Sequence, residues 1–315
     1  MVDRLRQSCQ VPGDMFGMRF DQAASQLFPE FSRARLQEWI RSGQLTLNGR
    51  SAKPKDKLLG GESLALDAEL QARGEWQAEA MDLPLVYEDE AILVVNKPAG
   101  LVVHPAAGNP SGTLLNALLH HCPQLEALPR AGIVHRLDKD TTGLMVVAKT
   151  LGAHAHLVAQ LQRRSVSREY QAVVLGCLTG GGRVDAAIGR HPRQRKQMAV
   201  VPESGKPAIT HYRLLERFAA HSHIEVKLET GRTHQIRVHM AHIRHPLVGD
   251  TTYAGRFKIP KGASDGLVQV LKQFPHQALH AARLGLEHPV TGEPCHWSSP
   301  LPEDFQRLLE ALRRG

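Results

Sequence analysis

The chain has 315 residues, 42% hydrophobic and 22% charged, a globular composition long enough for two domains, which excludes a largely disordered protein. No apolar run approaches the roughly 18 residues that cross a bilayer, and the start Met1-Val2-Asp3-Arg4-Leu5-Arg6 lacks an apolar leader core, so a cytoplasmic protein with no membrane partner is expected. The net charge of +8 favours a polyanionic partner, and four dispersed cysteines without a C-x-x-C pair offer neither a disulfide framework nor a cysteine zinc site.

In chain order, Phe20, Ala23, Ala24 and Leu27 fall at i, i+3, i+4 and i+7, the spacing of one helical face. A second helix follows, with Ser32 as its cap, Leu36, Trp39 and Ile40 as its apolar stripe and Gly43 as its stop. Leu45-Thr46-Leu47-Asn48-Gly49 alternates like a strand running into an Asn-Gly turn, and Gly60-Gly61 precedes a second alternating piece, Ser63 to Leu66. Arg33, Gln37 and Arg41 share a helical face, and Lys53, Lys55 and Lys57 follow in a loop. Charge alone leaves a solvated face and a phosphate-contacting face equally open. The pattern R-F-D-x-x-A, then S-R-x-x-x-x-x-W-I-R-x-G-x-L-x-L-N-G, then G-G-E, resembles the S4 RNA-binding domain. That resemblance makes Arg33, Arg41, Lys53 and Lys55 candidate RNA contacts.

Residues 61–90 hold nine acidic groups and one basic group with little periodicity up to Pro84, which reads as an acidic linker, about 67–90, between a unit at 17–76 and a larger domain at 77–315. Beyond it, strands are expected at Leu85–Tyr87, Ala91–Asn96, Leu144–Ala148, Glu169–Leu175 and Ile224–Glu229, with helices at Leu114–His121 and Ala153–Leu161. No regular βαβ beat, G-x-G-x-x-G or P-loop occurs, so an α+β domain with a mixed, largely antiparallel sheet flanked by helices is expected.

Charge is unevenly distributed. Residues 130–260 carry 21 basic and 9 acidic groups, net +12, whereas 1–80 carry 11 of each and 81–129 carry 1 and 5. Two polar clusters lie in the basic block. In the first, Ala131 to Gly143, an extended Ile133–Asp138 would point Arg136 and Asp138 the same way. A turn with local salt bridges and a site at a sheet edge both fit that pattern. In the second, Leu228 to His239, Gly231 permits a tight turn, Thr233 can cap a helix, and Arg232 is held on a strand-to-helix turn from which it could grip a carboxylate, or pair with Glu229.

Gly132-Ile133-Val134-His135-Arg136-Leu137-Asp138 with Thr141-Thr142-Gly143-Leu144, then Arg168-Glu169-Tyr170, then Leu228 to His239, resemble in this order the motifs of the RluA-type pseudouridine synthases. Asn96 to Pro105, His245 to Asp250 and Gln277 to Ala281 are similar as well, so the likeness runs from about residue 15 to near the end. Departures occur at Thr251-Thr252-Tyr253-Ala254-Gly255 and at His276, where an arginine is common.

The resemblance implies isomerisation of uridine: the C1′–N bond breaks, the base turns, and its C5 carbon bonds to C1′, with no cofactor. It implies Asp138 as the nucleophile, attacking C1′ or C6 or stabilising charge at the sugar. It also implies Arg232 as the arginine pairing with Asp138, Tyr170 as the ring stacking on the base and helping to remove the C5 proton, and Arg136 as the residue filling the place of the flipped uridine. His135 joins Arg136 as a base-binding candidate. The likeness is nearest to the branch acting on the large ribosomal subunit, which implies 23S rRNA or its precursor particle as partner, three uridines of the helix 69 stem-loop as targets, and a monomer. The same chemistry on transfer RNA or another ribosomal site, and an RNA-binding assembly factor without catalysis, are the rival readings.

Eleven of the 18 histidines lie between 130 and 260, among them His234, His239, His242 and His245. No acidic or cysteine ligand completes that group, so no metal site is expected.

Overall fold

The computed structural model describes residues 3–29, 31, 33–70, 76–106, 108–194 and 197–315. Its N-terminal unit consists of β1 (Asp3–Gln10), α1 (Phe20–Leu27), α2 (Arg33–Ser42), β2 (Leu45–Leu47) and β3 (Ser63–Leu70). β3 is the central strand of an antiparallel sheet, with β1 on one side (Asp3 opposite Leu70) and β2 on the other (Leu45 opposite Leu66). β1 lies upstream of the expected start at residue 17. Its sequence DRLRQSCQ shows polar and apolar residues without a full buried face, so the strand is held by its ladder to β3 more than by pattern. Phe20, Ala23, Ala24, Leu36, Trp39, Ile40 and Leu64 close a core of their own. Asn48 and Gly49 both take positive φ, and Leu47 and Arg50 exchange backbone hydrogen bonds across them, a tight turn that the chain leaves by a long loop before β3. Ser32, expected to cap α2, lies outside the described residues, as do 71–75 of the expected linker.

The second, larger body contains β4 (Leu85–Glu88), β5 (Ile92–Lys97), α3 (Leu114–His121), β6 (Thr142–Ala148), α4 (Leu151–Arg163), β7 (Ser167–Leu175), β8 (Gly182–Asp185), β9 (Ile188–Arg190), β10 (Met198–Val200), β11 (Ile209–Arg217), β12 (His221–Leu228), α5 (Gln235–His242), α6 (Asp265–Gln273), β13 (Leu279–Glu287), β14 (Pro294–Ser298) and α7 (Glu303–Arg314). The main sheet runs β4-β5-β6-β13-β7-β12-β11-β8, with β14 on β13, and β9 pairs with β10 apart from it. Pairing is antiparallel except between β6 and β13. The expected mixed, largely antiparallel sheet with flanking helices is the one observed, and α3 falls on the residues its periodicity indicates.

One row of residues crosses this sheet and places the site. Lys97 on β5 faces Gly143 on β6, Gly143 faces Ala281 on β13, Ala281 faces Tyr170 on β7, and Tyr170 faces Val226 on β12. Gly143 has φ +110°, and a Cβ there would stand 2.3 Å from the Ala281 carbonyl oxygen, so only glycine lets β6 and β13 approach this closely.

Candidate active site

The segment from Ile133 to Asp138 is irregular rather than a strand; only Ile133 bridges to Val147. Several fixed contacts hold the loop that carries Asp138. Thr141 N donates to the Asp138 carbonyl (3.1 Å), Gln277 Nε2 donates to Thr141 Oγ1 (3.0 Å), and Thr142 Oγ1 meets His280 Nδ1 (2.8 Å). Lys97 lies beneath, only 1% exposed, and its ammonium donates to the carbonyls of Pro98, Leu101 and Lys139. Burial pulls the Lys97 ammonium down to about 8, against the opposing pull of Asp140 and Asp138.

The arginine that meets Asp138 is Arg237, and the expected pairing with Arg232 is corrected. Arg237 Nη1 donates to Asp138 Oδ2 at 3.0 Å, while its Nε and Nη2 grip Asp250 at 2.7 and 3.0 Å. Burial works against the Arg237 charge, but Asp250 and Asp138 more than offset it and raise the guanidinium further. Arg232 instead donates its Nε to the Pro207 carbonyl, at 3.1 Å. The reason is the turn: the helix starts at Gln235 behind His234 in the left-handed region, so the first helical turn carries Arg237 inward and leaves Arg232 at the rim. Thr233 makes no capping bond; the Gln235 side chain accepts from Arg232 N and from Thr230 Oγ1 and donates to Ile209 O and Thr210 Oγ1.

Asp138 is also approached by His234, whose Nε2 lies 3.8 Å from its Oδ1 and whose Nδ1 meets the Tyr253 hydroxyl at 2.8 Å. Tyr253 lies under the Arg237 guanidinium, 5.0 Å from ring centroid to Cζ. His234 stands out in sequence only among the histidines weighed and set aside as a metal site, Asp250 closes the His245 to Asp250 piece, and Tyr253 falls in the departing stretch after it, so none is marked there as a partner of Asp138. Tyr170 is buried on β7, and that burial raises its phenol, which stays protonated at neutral pH.

Asp138, Tyr170, His234 and Arg237 line a cleft of about 560 Å³ together with His104, Arg130, His135, Arg136, Arg164, Arg168 and Arg232. Arg136 is exposed in it. His135 is held rigidly, its Nε2 accepting the Val146 N–H at 3.1 Å, and burial drops its pKa to about 3, so it is neutral. His239 spends both ring nitrogens on Thr210 and Ala186, and His245 bonds the Leu175 carbonyl, so these two belong to the scaffold rather than to an RNA face.

In the N-terminal unit, Arg33 is turned inward on a carboxylate. Asp21, wholly buried, accepts from Arg33 Nη2 (2.7 Å), Gln37 Nε2 (2.5 Å) and Arg19 Nε (3.0 Å). Burial alone would raise Asp21, but these three donors outweigh it and lower its pKa. Among the described residues Arg41 reaches only Gln37, at 3.4 Å, and Lys53 and Lys55 are exposed. Arg33 is therefore balanced locally, while the lysines face solvent.

Two family models match the chain, "RNA pseudouridylate synthase" over residues 91–242 and "S4 domain" over 18–64. A protein of Pseudomonas aeruginosa called "Ribosomal large subunit pseudouridine synthase D" is 62% identical over 100% of this chain and 98% of its own length. The chain belongs to the RNA pseudouridylate synthase family. Other synthases of that name, from Yersinia pestis and Escherichia coli, are 55% and 53% identical over 99% of this chain and 96% of theirs. Among solved structures, the pseudouridylate synthase "Human RNA Pseudouridylate Synthase Domain Containing 4" superposes with a TM-score of 0.57 at 28% identity, covering 73% of this chain and 93% of that one. This synthase thus joins an S4 domain to a pseudouridine synthase domain.

Proposed function

We propose that this enzyme converts uridines of large-subunit (23S) ribosomal RNA to pseudouridine, three of them in the helix 69 stem-loop, with Asp138 as the reacting carboxylate. The observation that carries the chemistry is the Asp138–Arg237 contact of 3.0 Å in a basic cleft beside Tyr170. The RNA assignment is supported by relatives 53–62% identical along almost the whole chain, whose names specify the large ribosomal subunit.

Arg237 orients the carboxylate, and because Asp250 takes its other nitrogens, it cannot swing away when a substrate enters. Asp138 displaces the uracil as the C1′–N bond breaks, the uracil anion turns within the cleft, its C5 attacks C1′ and releases the carboxylate, and the C5 proton is then lost while the freed ring nitrogen is protonated. Tyr170, a neutral phenol, offers its face to the base. The target uridine has to leave its stack, costing a few kcal/mol, and exposed Arg136 at the cleft is placed to fill the gap. The partner is the 23S rRNA or a precursor particle, bound in the cytoplasm by a monomer, with residues up to about 76 as an RNA-binding unit and 77–315 as the catalytic one.

Carbodiimide mapping of total RNA tests this reading in cells lacking the gene and complemented with wild type or Asp138→Asn. The wild type restores reverse-transcription stops at the helix 69 uridines, and Asp138→Asn restores none while still binding the RNA stem-loop. Restored stops with Asp138→Asn would refute the carboxylate assignment, and stops restored only in transfer RNA would refute the ribosomal one.

A further inference from the structure

β7 alternates in burial, so Arg168 and Tyr170 leave the strand on the same face, into the cleft. Glu169, on the opposite face, is taken by Arg283 and Lys227. Arg168 is only 8% exposed, yet its Nε has no hydrogen-bond partner and no carboxylate pairs with its guanidinium among the described residues. The other cleft arginines with protein partners differ: Arg237 has two carboxylates, Arg164 has Glu229, and Arg232 has a carbonyl.

Gly231 makes room for this side chain. A Cβ at Gly231 would stand 2.6 Å from Arg168 Nη1, so the guanidinium lies across the backbone of the turn that leads to Arg237. Gly231 does not have a positive φ, so its small size rather than its backbone freedom is what the site uses. The charge of Arg168 also helps keep the neighbouring His135 neutral.

A desolvated guanidinium without a counter-charge is a receptor for an anion, and its planar fork matches two oxygens of one phosphodiester. We infer that Arg168 binds a backbone phosphate flanking the uridine whose base faces Tyr170. The inference rests on the RNA reading above and extends it: Asp138 and Tyr170 address the sugar and base, and Arg168 addresses the strand.

The test uses the full chain and a synthetic stem-loop RNA, alongside two copies carrying a single neutral methylphosphonate, 5′ or 3′ of the target uridine. Conversion of the unmodified stem-loop by wild type checks the RNA reading independently. One of the two neutral linkages is expected to weaken wild-type binding about 10-fold, and Arg168→Gln to weaken binding of the unmodified RNA by a similar factor. The two changes together should cost no more than either alone, and the salt slope of Arg168→Gln should fall by about one. Arg168→Lys, which keeps a charge, should recover part of the loss, and Gly231→Ala, which displaces the guanidinium, should reproduce part of it. If the neutral linkages weaken Arg168→Gln as much as they weaken wild type, or if folded Arg168→Gln binds the unmodified RNA as tightly as wild type, the phosphate contact is refuted.

Discussion

Arg237 is buried between Asp138 and Asp250, and only one of these carboxylates is itself sealed from water: Asp250 is 2% exposed. Removing the arginine therefore does two separate things. Arg237→Met leaves Asp250 charged and unpaired in the interior, expected to cost about 3–5 kcal/mol in urea unfolding, and also releases Asp138, abolishing turnover. Arg232→Met removes a rim contact to a carbonyl and should stay within about 0.5 kcal/mol of wild type in the same measurement. Comparable destabilisation by both would contradict this division of labour. Which arginine of Gly231-Arg232-Thr233-His234-Gln235-Ile236-Arg237 reaches the carboxylate is not readable from spacing. The answer depends on where the helix begins, and that is decided by His234 in a left-handed conformation and by a buried Gln235 bonding four partners, neither of which leaves a pattern in the residues. The same holds for Arg33, where an exposed helix face could not reveal that Asp21 is buried beneath it.

The close passage of β6 alongside β13 places the Asp138 loop in line with Tyr170. Gly143→Ala forces a Cβ to within 2.3 Å of Ala281 O at φ +110°, so the two strands have to part. A loss of about 2 kcal/mol or more is expected in equilibrium unfolding, with catalysis falling further than stability because the loop shifts. Gly292→Ala, also at positive φ but with nothing within 4 Å, should cost only about 1 kcal/mol and leave catalysis unchanged. Equal effects at the two sites would show that the strand contact does not position the loop. Elements with one buried stripe or a compact apolar run, such as α1, α3, β6 and β12, were legible from periodicity. β13 was not, because Leu279 to Ala282 is buried on both faces and a strand covered on both sides does not alternate. The short β8, β9 and β10 carry too few residues for a period to register, and β1 is specified by its partner rather than by its own side chains.

At the scale of the molecule, residues 130–260 carry a net +12 and supply Arg130, Arg136, Arg164, Arg168, Arg232 and Arg237 to the cleft, although part of that charge is spent internally on carboxylates such as Asp250 and Glu229. The exposed remainder predicts that the Kd for a stem-loop RNA rises at least about 10-fold between 50 and 200 mM salt, corresponding to two or more phosphate contacts. A flat titration would mean that the basic block serves the fold instead of the RNA. The strand order also sets a timetable for synthesis. β13, residues 279–287, is wedged between β6 and β7, which precede it by more than a hundred residues, so the row from Lys97 to Val226 cannot close until nearly the whole chain has left the ribosome. The N-terminal unit needs only residues up to 70 and has its own core. It folds first. A nascent copy of this enzyme therefore acquires its small RNA-binding fold long before it has a reaction centre, so for much of its synthesis it is a binder that cannot yet modify what it holds.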